Sequence, residues 1–281
     1  PFFRANSPRR RKKVTARAAL FRVYPLVALS YRRSFVPKYG KGAAHGGWHA
    51  RIAPMTTLLT SSAHDTMRRH KKVREYSVGE EIGNSITHGV GAALAIAAIP
   101  ISIVRAVGDG AGVLLAAALI YSISMLMEYL ASTLYHALAI DGAKRVFKVI
   151  DHAAIYLFIA GSYTPYCLVT LSESGGVYLC AFVWALAIIG MAAEAFWTFR
   201  PRWVSVVIYL IMGWCVVGFL PALVENLAPT GLWLLVAGGV CYSIGCVFYV
   251  LKKIPFMHMV FHLWVLAGSV LQFFSILLFV L

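Results

Sequence analysis

The chain has 281 residues, of which 60% are hydrophobic and 13% are charged, and its mean hydropathy is +0.74. A soluble domain normally carries about 25% charged residues, so this composition excludes an ordinary soluble protein and indicates an integral membrane protein. The net charge of +15 comes from the N-terminal part of the chain. Residues 1–74 contain eighteen of the 26 Lys and Arg residues and only one acid, Asp65.

Residues 1–74 form a basic arm that we expect to be a solvated, disordered tail of a membrane domain at residues 75–281. Contact with anionic lipid headgroups or nucleic acid, and an organelle transit peptide, are the alternatives for such a segment. We expect no nucleic-acid partner. The chain begins with Pro1 rather than Met, so we expect the native start to lie elsewhere, with Met55 and Met67 as candidates and the arm partly outside the native protein.

Seven apolar stretches follow, each long enough to cross the hydrocarbon core of a membrane as a helix of about 20 residues. They lie at residues 85–107, 112–138, 146–171, 175–197, 203–224, 230–251 and 256–281. Short links that contain Gly, Pro or Asp separate them, which is typical of an antiparallel bundle. The sequence therefore predicts an all-α bundle of seven transmembrane helices, and we expect it in the plasma membrane.

Charges in the links predict the orientation of this bundle. The links after the second, fourth and sixth spans are basic, whereas each alternate link carries an acid. The basic links contain Lys144 with Arg145, Arg200 with Arg202, and Lys252 with Lys253. Because short cytoplasmic links are enriched in Lys and Arg, we expect a cytoplasmic N-terminus and an external C-terminus.

Three of the predicted spans carry polar residues at the end that this orientation places near the cytoplasm. His136 lies in the second span, Asp151 begins the third, and His258 and His262 begin the seventh. Residues four apart share a helix face, so His258 and His262 can bind one ion. Three imidazoles with one open position suit Zn²⁺ that carries a water, and Asp151 then either holds that water or orients a ligand ring. The alternatives are a purely structural metal and ordinary hydrogen bonds between helices.

Other polar residues lie near the same predicted depth. Ser132 lies one helical turn from His136 on the same face, so it joins the predicted site. Glu128, one turn from Ser132 on the same face, extends a polar track into the membrane or packs as a hydrogen-bonded buried acid, and packing is also the alternative for Glu194 near the cytoplasmic end of the fourth span. The secondary site candidates are Glu81, His88 and His152. For the residues that begin the first span, an ordinary helix start is the alternative.

Several short motifs in this part of the chain resemble those of the hemolysin III proteins, which belong to the progestin and adipoQ receptor family and are related to alkaline ceramidases. The motifs are EEIGNSITHG at residues 80–89, ASTLYH at 131–136, DHAAIY at 151–156, AGSYTP at 160–165, MGW at 212–214, and the final histidine pair. The resemblance covers residues 80–281. It implies zinc held by His136, His258 and His262, with Asp151 and Ser132 beside the metal's water.

The resemblance defines the site better than the function, because one fold hosts several activities. One hypothesis is a zinc-dependent hydrolase of lipid amides or esters, in which Asp151 acts as general base and Ser132 orients the reacting groups. A second is a non-enzymatic sensor or membrane-homeostasis protein with structural zinc. A third is a pore-forming cytolysin, as the family name implies. Membrane lipids are the expected partners.

Overall fold

The computed structural model describes residues 76–108, 112–197, 201–251 and 253–281. The basic arm predicted at residues 1–74, with its candidate starts, lies outside these described residues. Within them the chain is helical, and no β-strand occurs. The α-helices are α1 (Val78–Gly108), α2 (Gly112–Ala137), α3 (Asp141–Pro165), α4 (Gly176–Trp197), α5 (Arg202–Trp214), α6 (Leu220–Asn226), α7 (Pro229–Val250) and α8 (Met257–Phe279).

Seven helical segments are long and apolar enough to cross a membrane, which confirms the predicted seven-helix class. The third of them, Asp141–Thr170, joins α3 to a π-helical turn, Tyr166–Thr170. The fifth, Trp203–Asn226, joins α5 and α6 through a 3₁₀ turn, Cys215–Phe219. The other five are single α-helices, and their ends agree with the predicted spans to within a few residues except at the start of α1.

α1 begins at Val78, well before the start predicted at residue 85, because a capping box extends it. The backbone N–H of Ser77 donates to Oε2 of Glu80 at 2.9 Å, and the backbone N–H of Glu80 donates to Oγ of Ser77 at 3.3 Å. This reciprocal pair satisfies N–H groups that a helix start leaves free. Oε1 of Glu80 also accepts a hydrogen bond of 3.0 Å from the backbone N–H of Phe256, so one carboxylate joins the starts of α1 and α8.

The helices pack largely in chain order. α1 packs on α2, α2 on α3 and α3 on α4, while α7 packs on α8 and α8 returns to α1; α5 contacts α3 and α7. The third span is the most enclosed, with 61% of its apolar window buried against 11% for the fifth. α1 therefore lies between α2 and α8, which carry the predicted histidine ligands.

Two glycines allow the close approach of neighbouring helices. A Cβ atom at Gly91 of α1 would overlap the ring of Tyr129 on α2, and a Cβ atom at Gly161 of α3 would overlap the side chain of Ser124 on α2. Small residues at such crossings let helix backbones come together inside a membrane. Both contacts hold α2 tightly between α1 and α3.

Pro165 ends the regular part of the third span, because a proline interrupts the helical hydrogen bonds. The following residues, Tyr166–Thr170, form the π-helical turn, a common accommodation of such a break. Nearby, the Tyr163 hydroxyl donates to the carbonyl of Gly213 at 2.8 Å and accepts from the N–H of Val216 at 3.1 Å. A side chain of the third span therefore satisfies backbone groups of the fifth span where that span is irregular.

Candidate metal centre

The structure brings together the three histidines predicted as metal ligands. His136 belongs to the last turn of α2, and His258 and His262 belong to the first two turns of α8. One ring nitrogen from each lies within 4.8 Å of the other two, and the Nε2 atoms of His258 and His262 are 3.2 Å apart. Because His258 and His262 are four residues apart, both rings project from one face of α8.

The first ligand ring, His136, is held by α1. Its Nδ1 atom lies 2.7 Å from Oε2 of Glu81, and a longer contact of 3.4 Å joins Nδ1 to Nδ2 of Asn84. A carboxylate at this distance accepts the Nδ1–H proton and leaves Nε2 as the nitrogen that can bind a metal. Nε2 is buried and has no hydrogen-bond partner within the described residues, as expected of a nitrogen that is free to bind a metal.

The second ring, His262, is also oriented by α1. Its Nδ1 atom lies 3.2 Å from the carbonyl oxygen of Asn84 and 3.2 Å from Oγ1 of Thr87. The Thr87 hydroxyl donates to the Asn84 carbonyl at 2.9 Å, so its oxygen can accept a hydrogen bond from the ring. Both arrangements place the proton on Nδ1 and direct Nε2 towards His258. The donor set is therefore three imidazole nitrogens, which suits divalent metals such as Zn²⁺, Cu²⁺ or Fe²⁺ better than Ca²⁺ or Mg²⁺.

Glu81 also pairs with a buried cation. Its Oε1 atom lies 2.8 Å from Nζ of Lys144, which is 1% exposed. The same ammonium donates to the carbonyl of Tyr135 at 2.9 Å and lies 4.7 Å from the centre of that residue's ring. A buried carboxylate needs such compensation, and Lys144 supplies it to Glu81 beside His136.

Sequence reasoning placed Lys144 among the basic link residues and missed this contact. Tyr76 was also missed: its ring stacks on His258 with centroids 4.8 Å apart and an interplanar angle of 19°. An aromatic residue just before a helix start has no distinctive sequence signal. The Ser-x-x-Glu capping box at residues 77–80 was detectable, because it is a recognised helix-start pattern, and it fixes the start of α1.

The secondary candidates lie in different surroundings. Glu81 contacts His136 directly, as described above. His88 stacks on His262 with centroids 3.5 Å apart, although its nitrogens are not part of the three-histidine group. His152 instead faces α4, where its Nδ1 atom lies 3.6 Å from Oε2 of Glu194.

The predicted catalytic residues are buried on the helices next to the histidines. Ser132 is 1% exposed and lies one turn before His136 on α2. Asp151 is 7% exposed on α3 and interacts electrostatically with Glu128 of α2. Their catalytic roles stay predictions.

A cavity of about 120 Å³ lies between α2, α3, α5, α7 and α8. Its wall is mainly aromatic and aliphatic, with Phe158, Trp214 and Val265 among the lining residues. The lining also includes Glu128, one turn from Ser132, and Phe261, which precedes His262 in the chain. The histidine cluster and an apolar interior space therefore share the same helices.

Comparison with known proteins agrees with this architecture. The sequence model of a family described as "Haemolysin-III related" matches residues 76–273. The chain is similar to "Hemolysin-3" of Bacillus cereus, with 44% identity over 204 residues, which is 73% of this chain and 93% of the relative. It is similar to "Hemolysin-3 homolog" of Bacillus subtilis (strain 168) at 40% identity, over 73% of this chain and 96% of the relative. A more distant similarity, 29% identity over 56% of this chain and 67% of the relative, is to human "Monocyte to macrophage differentiation factor".

Proposed function

This chain belongs to the haemolysin-III related family and is an integral, multi-pass membrane protein, and from that premise we propose that it is a zinc-dependent hydrolase of lipid amides or esters. The observation that carries the proposal is the convergence of His136, His258 and His262 on helices that also line an apolar cavity. Zinc bound to three imidazoles supplies Lewis-acid activation of water and of a carbonyl group.

Each residue near the histidines then has a separate role in the proposed reaction. Glu81, Asn84 and Thr87 hold the ligand rings with Nε2 free for the metal. Asp151 accepts the proton of the attacking water as general base. Ser132 donates a hydrogen bond to the carbonyl oxygen of the substrate, where negative charge develops.

The cavity supplies the binding energy for a lipid chain. Its aliphatic and aromatic wall excludes water from the chain and leaves the carbonyl end near the histidines. The substrate thus enters from the surrounding membrane, and membrane lipids are its source. The basic links lie at the same end of the bundle as the histidines, so we place the site at the cytoplasmic leaflet. The membrane in this proposal is the plasma membrane.

The activity is tested with purified full-length protein in detergent, loaded with zinc and incubated with a membrane lipid extract and with a defined N-acyl sphingosine. Mass spectrometry should detect a fatty acid whose formation requires the metal. Asp151→Ala should retain the metal and lose turnover by about 100-fold or more, whereas Asp141→Ala, which removes an exposed acid from the same helix, should keep wild-type activity. Unchanged turnover in Asp151→Ala contradicts the role of this residue.

A second candidate is a non-enzymatic membrane protein in which the metal is structural. The observation in its favour is that the histidines join α2 to α8, where Glu80 already binds the backbone of Phe256. This alternative predicts metal-dependent stability and no lipid product. Pore formation, which the names of the two bacterial relatives suggest, has no comparable support, because the described helices form a bundle suited to staying in its own membrane.

A further inference from the structure

The cavity contains one acidic side chain whose presence the apolar wall does not explain. Glu128 is 4% exposed and lines the cavity together with Phe158, Tyr242 and Val265. Its Oε2 atom is buried and has no hydrogen-bond partner among the described residues. A carboxyl group without a partner inside a membrane protein is costly and marks a functional site by default.

The neighbour of this carboxyl group does not satisfy it. Asp151, a second acid on α3, interacts electrostatically with Glu128. No hydrogen bond from Asp151 reaches Oε2 of Glu128, because this atom has no partner among the described residues. A hydrogen-bond donor from a bound molecule would fill this gap.

The position of Glu128 also defines where that donor lies. Glu128, Ser132 and His136 follow one another at intervals of four residues, so they lie on one face of α2 at axial steps of about 6 Å. All three are buried. A lipid that reaches the histidines with its carbonyl group therefore passes Ser132 before its next few atoms arrive beside Glu128.

We propose that Glu128 determines specificity in this cavity by binding a hydrogen-bond donor that the lipid carries within a few bonds of its carbonyl group. Two groups have this chemistry, a hydroxyl on the acyl chain and the N–H of an amide. The direction in which the lipid lies rests on the proposed hydrolase function, but the binding of a donor by Glu128 does not require turnover.

Two pairs of probes separate these sources. Lauric acid and 3-hydroxylauric acid differ in a chain hydroxyl, and N-ethyl lauramide and its N-methylated derivative differ in the amide N–H. Dissociation constants are measured by isothermal titration calorimetry on the metal-loaded full chain in detergent. Wild-type protein should bind the donor-bearing member of at least one pair about tenfold more tightly, an effect within the range expected of one hydrogen bond.

Glu128→Leu should remove this preference. Glu128→Gln keeps the shape and one acceptor oxygen but replaces the second oxygen by an NH₂ group that cannot accept a hydrogen bond, so about a threefold preference should remain. If the leucine variant does not fold, the glutamine variant decides. Glu194→Gln is the matched control, because Glu194 is a fully buried acid on α4 that does not line the cavity, and it should keep the full preference.

The proposal is overturned if wild-type protein shows no preference in either pair, or if the Glu128 variants keep the wild-type ratio. In the latter case the carboxyl group is a packing residue. If the donor preference depends on Glu128 but no lipid product forms, the proposed hydrolase function is contradicted. Glu128 would then determine which lipid binds, without a reaction.

Discussion

Oε2 of Glu81 lies 2.7 Å from Nδ1 of His136, and this contact makes α1 part of the candidate metal centre although α1 contributes none of the three histidines. The same helix orients His262 through the Asn84 carbonyl. Outer partners of this kind fix the tautomer and the orientation of ligand rings. The ligands of α2 and α8 therefore depend on the placement of the helix between them.

Replacing Glu81 should weaken metal binding without removing a ligand. Glu81→Gln loses the charged acceptor of the His136 proton, so metal affinity should fall about 10–100-fold. Competition with a fluorescent chelator measures this change on purified protein. Glu80→Gln is the control, because Glu80 caps α1 and contacts Phe256 rather than a ligand; it should lower stability but keep metal affinity within about twofold of wild type. Equal losses in both variants would show that the effect is only structural.

Much of this arrangement follows from sequence, and the parts that do not are contacts made by packing. Apolar length predicts the seven spans, and the burial cost of polar groups directs attention to His136, His258 and His262. The contact of Lys144 with Glu81 was not predictable, because a lysine in a link normally indicates membrane orientation. Its ammonium is buried only because α1 packs against the end of α2.

The same reasoning applies to the start of α1 and to the predicted catalytic pair. The start was predicted too late because hydropathy does not detect Ser77 and Glu80, whose polar groups form a capping box. The roles of Asp151 and Ser132 stay predictions, since burial on adjacent helices is compatible with catalysis and with packing.

Removing Lys144 should destabilise the fold more than removing its neighbour. Lys144→Met leaves the Glu81 carboxylate buried without its cation, which costs about 3–5 kcal/mol. Arg145→Met changes an exposed residue and should alter stability by about 0.5 kcal/mol or less. Chemical unfolding in detergent, followed by circular dichroism, gives both values. In a double-mutant cycle, Glu81→Gln combined with Lys144→Met should recover part of the loss; strictly additive losses would contradict a direct interaction.

Loss of a histidine ligand should abolish the effect of metal on stability. Wild-type protein should unfold at a lower temperature after treatment with 1,10-phenanthroline and recover when zinc is added, because metal binding favours the folded state. His258→Ala should show a low melting temperature that neither treatment changes, and elemental analysis should find no stoichiometric metal in it. His152→Ala, which removes an imidazole that faces Glu194, should retain the wild-type response. A full metal content in His258→Ala would contradict the three-histidine site.

Enlarging Gly91 should separate α1 from α2. An alanine Cβ at this position overlaps the ring of Tyr129, whose hydroxyl donates to Oγ of Ser269 at 2.6 Å, so the ring is held from both sides. Gly91→Ala should therefore cost about 1–3 kcal/mol through overpacking, despite the gain that alanine normally brings to a helix interior. Gly142→Ala is the matched control, since the added Cβ has no atom within 4 Å apart from its chain neighbours and the backbone of its own helix, and it should be neutral or stabilising. Thermal unfolding measures both, and because Glu81 lies on the displaced helix, Gly91→Ala should also lower metal affinity. A Gly91→Ala protein as stable as the Gly142→Ala protein would show that α1 can move away from Tyr129 without cost. An unchanged metal affinity would show that a displacement of α1 at Gly91 does not reach Glu81.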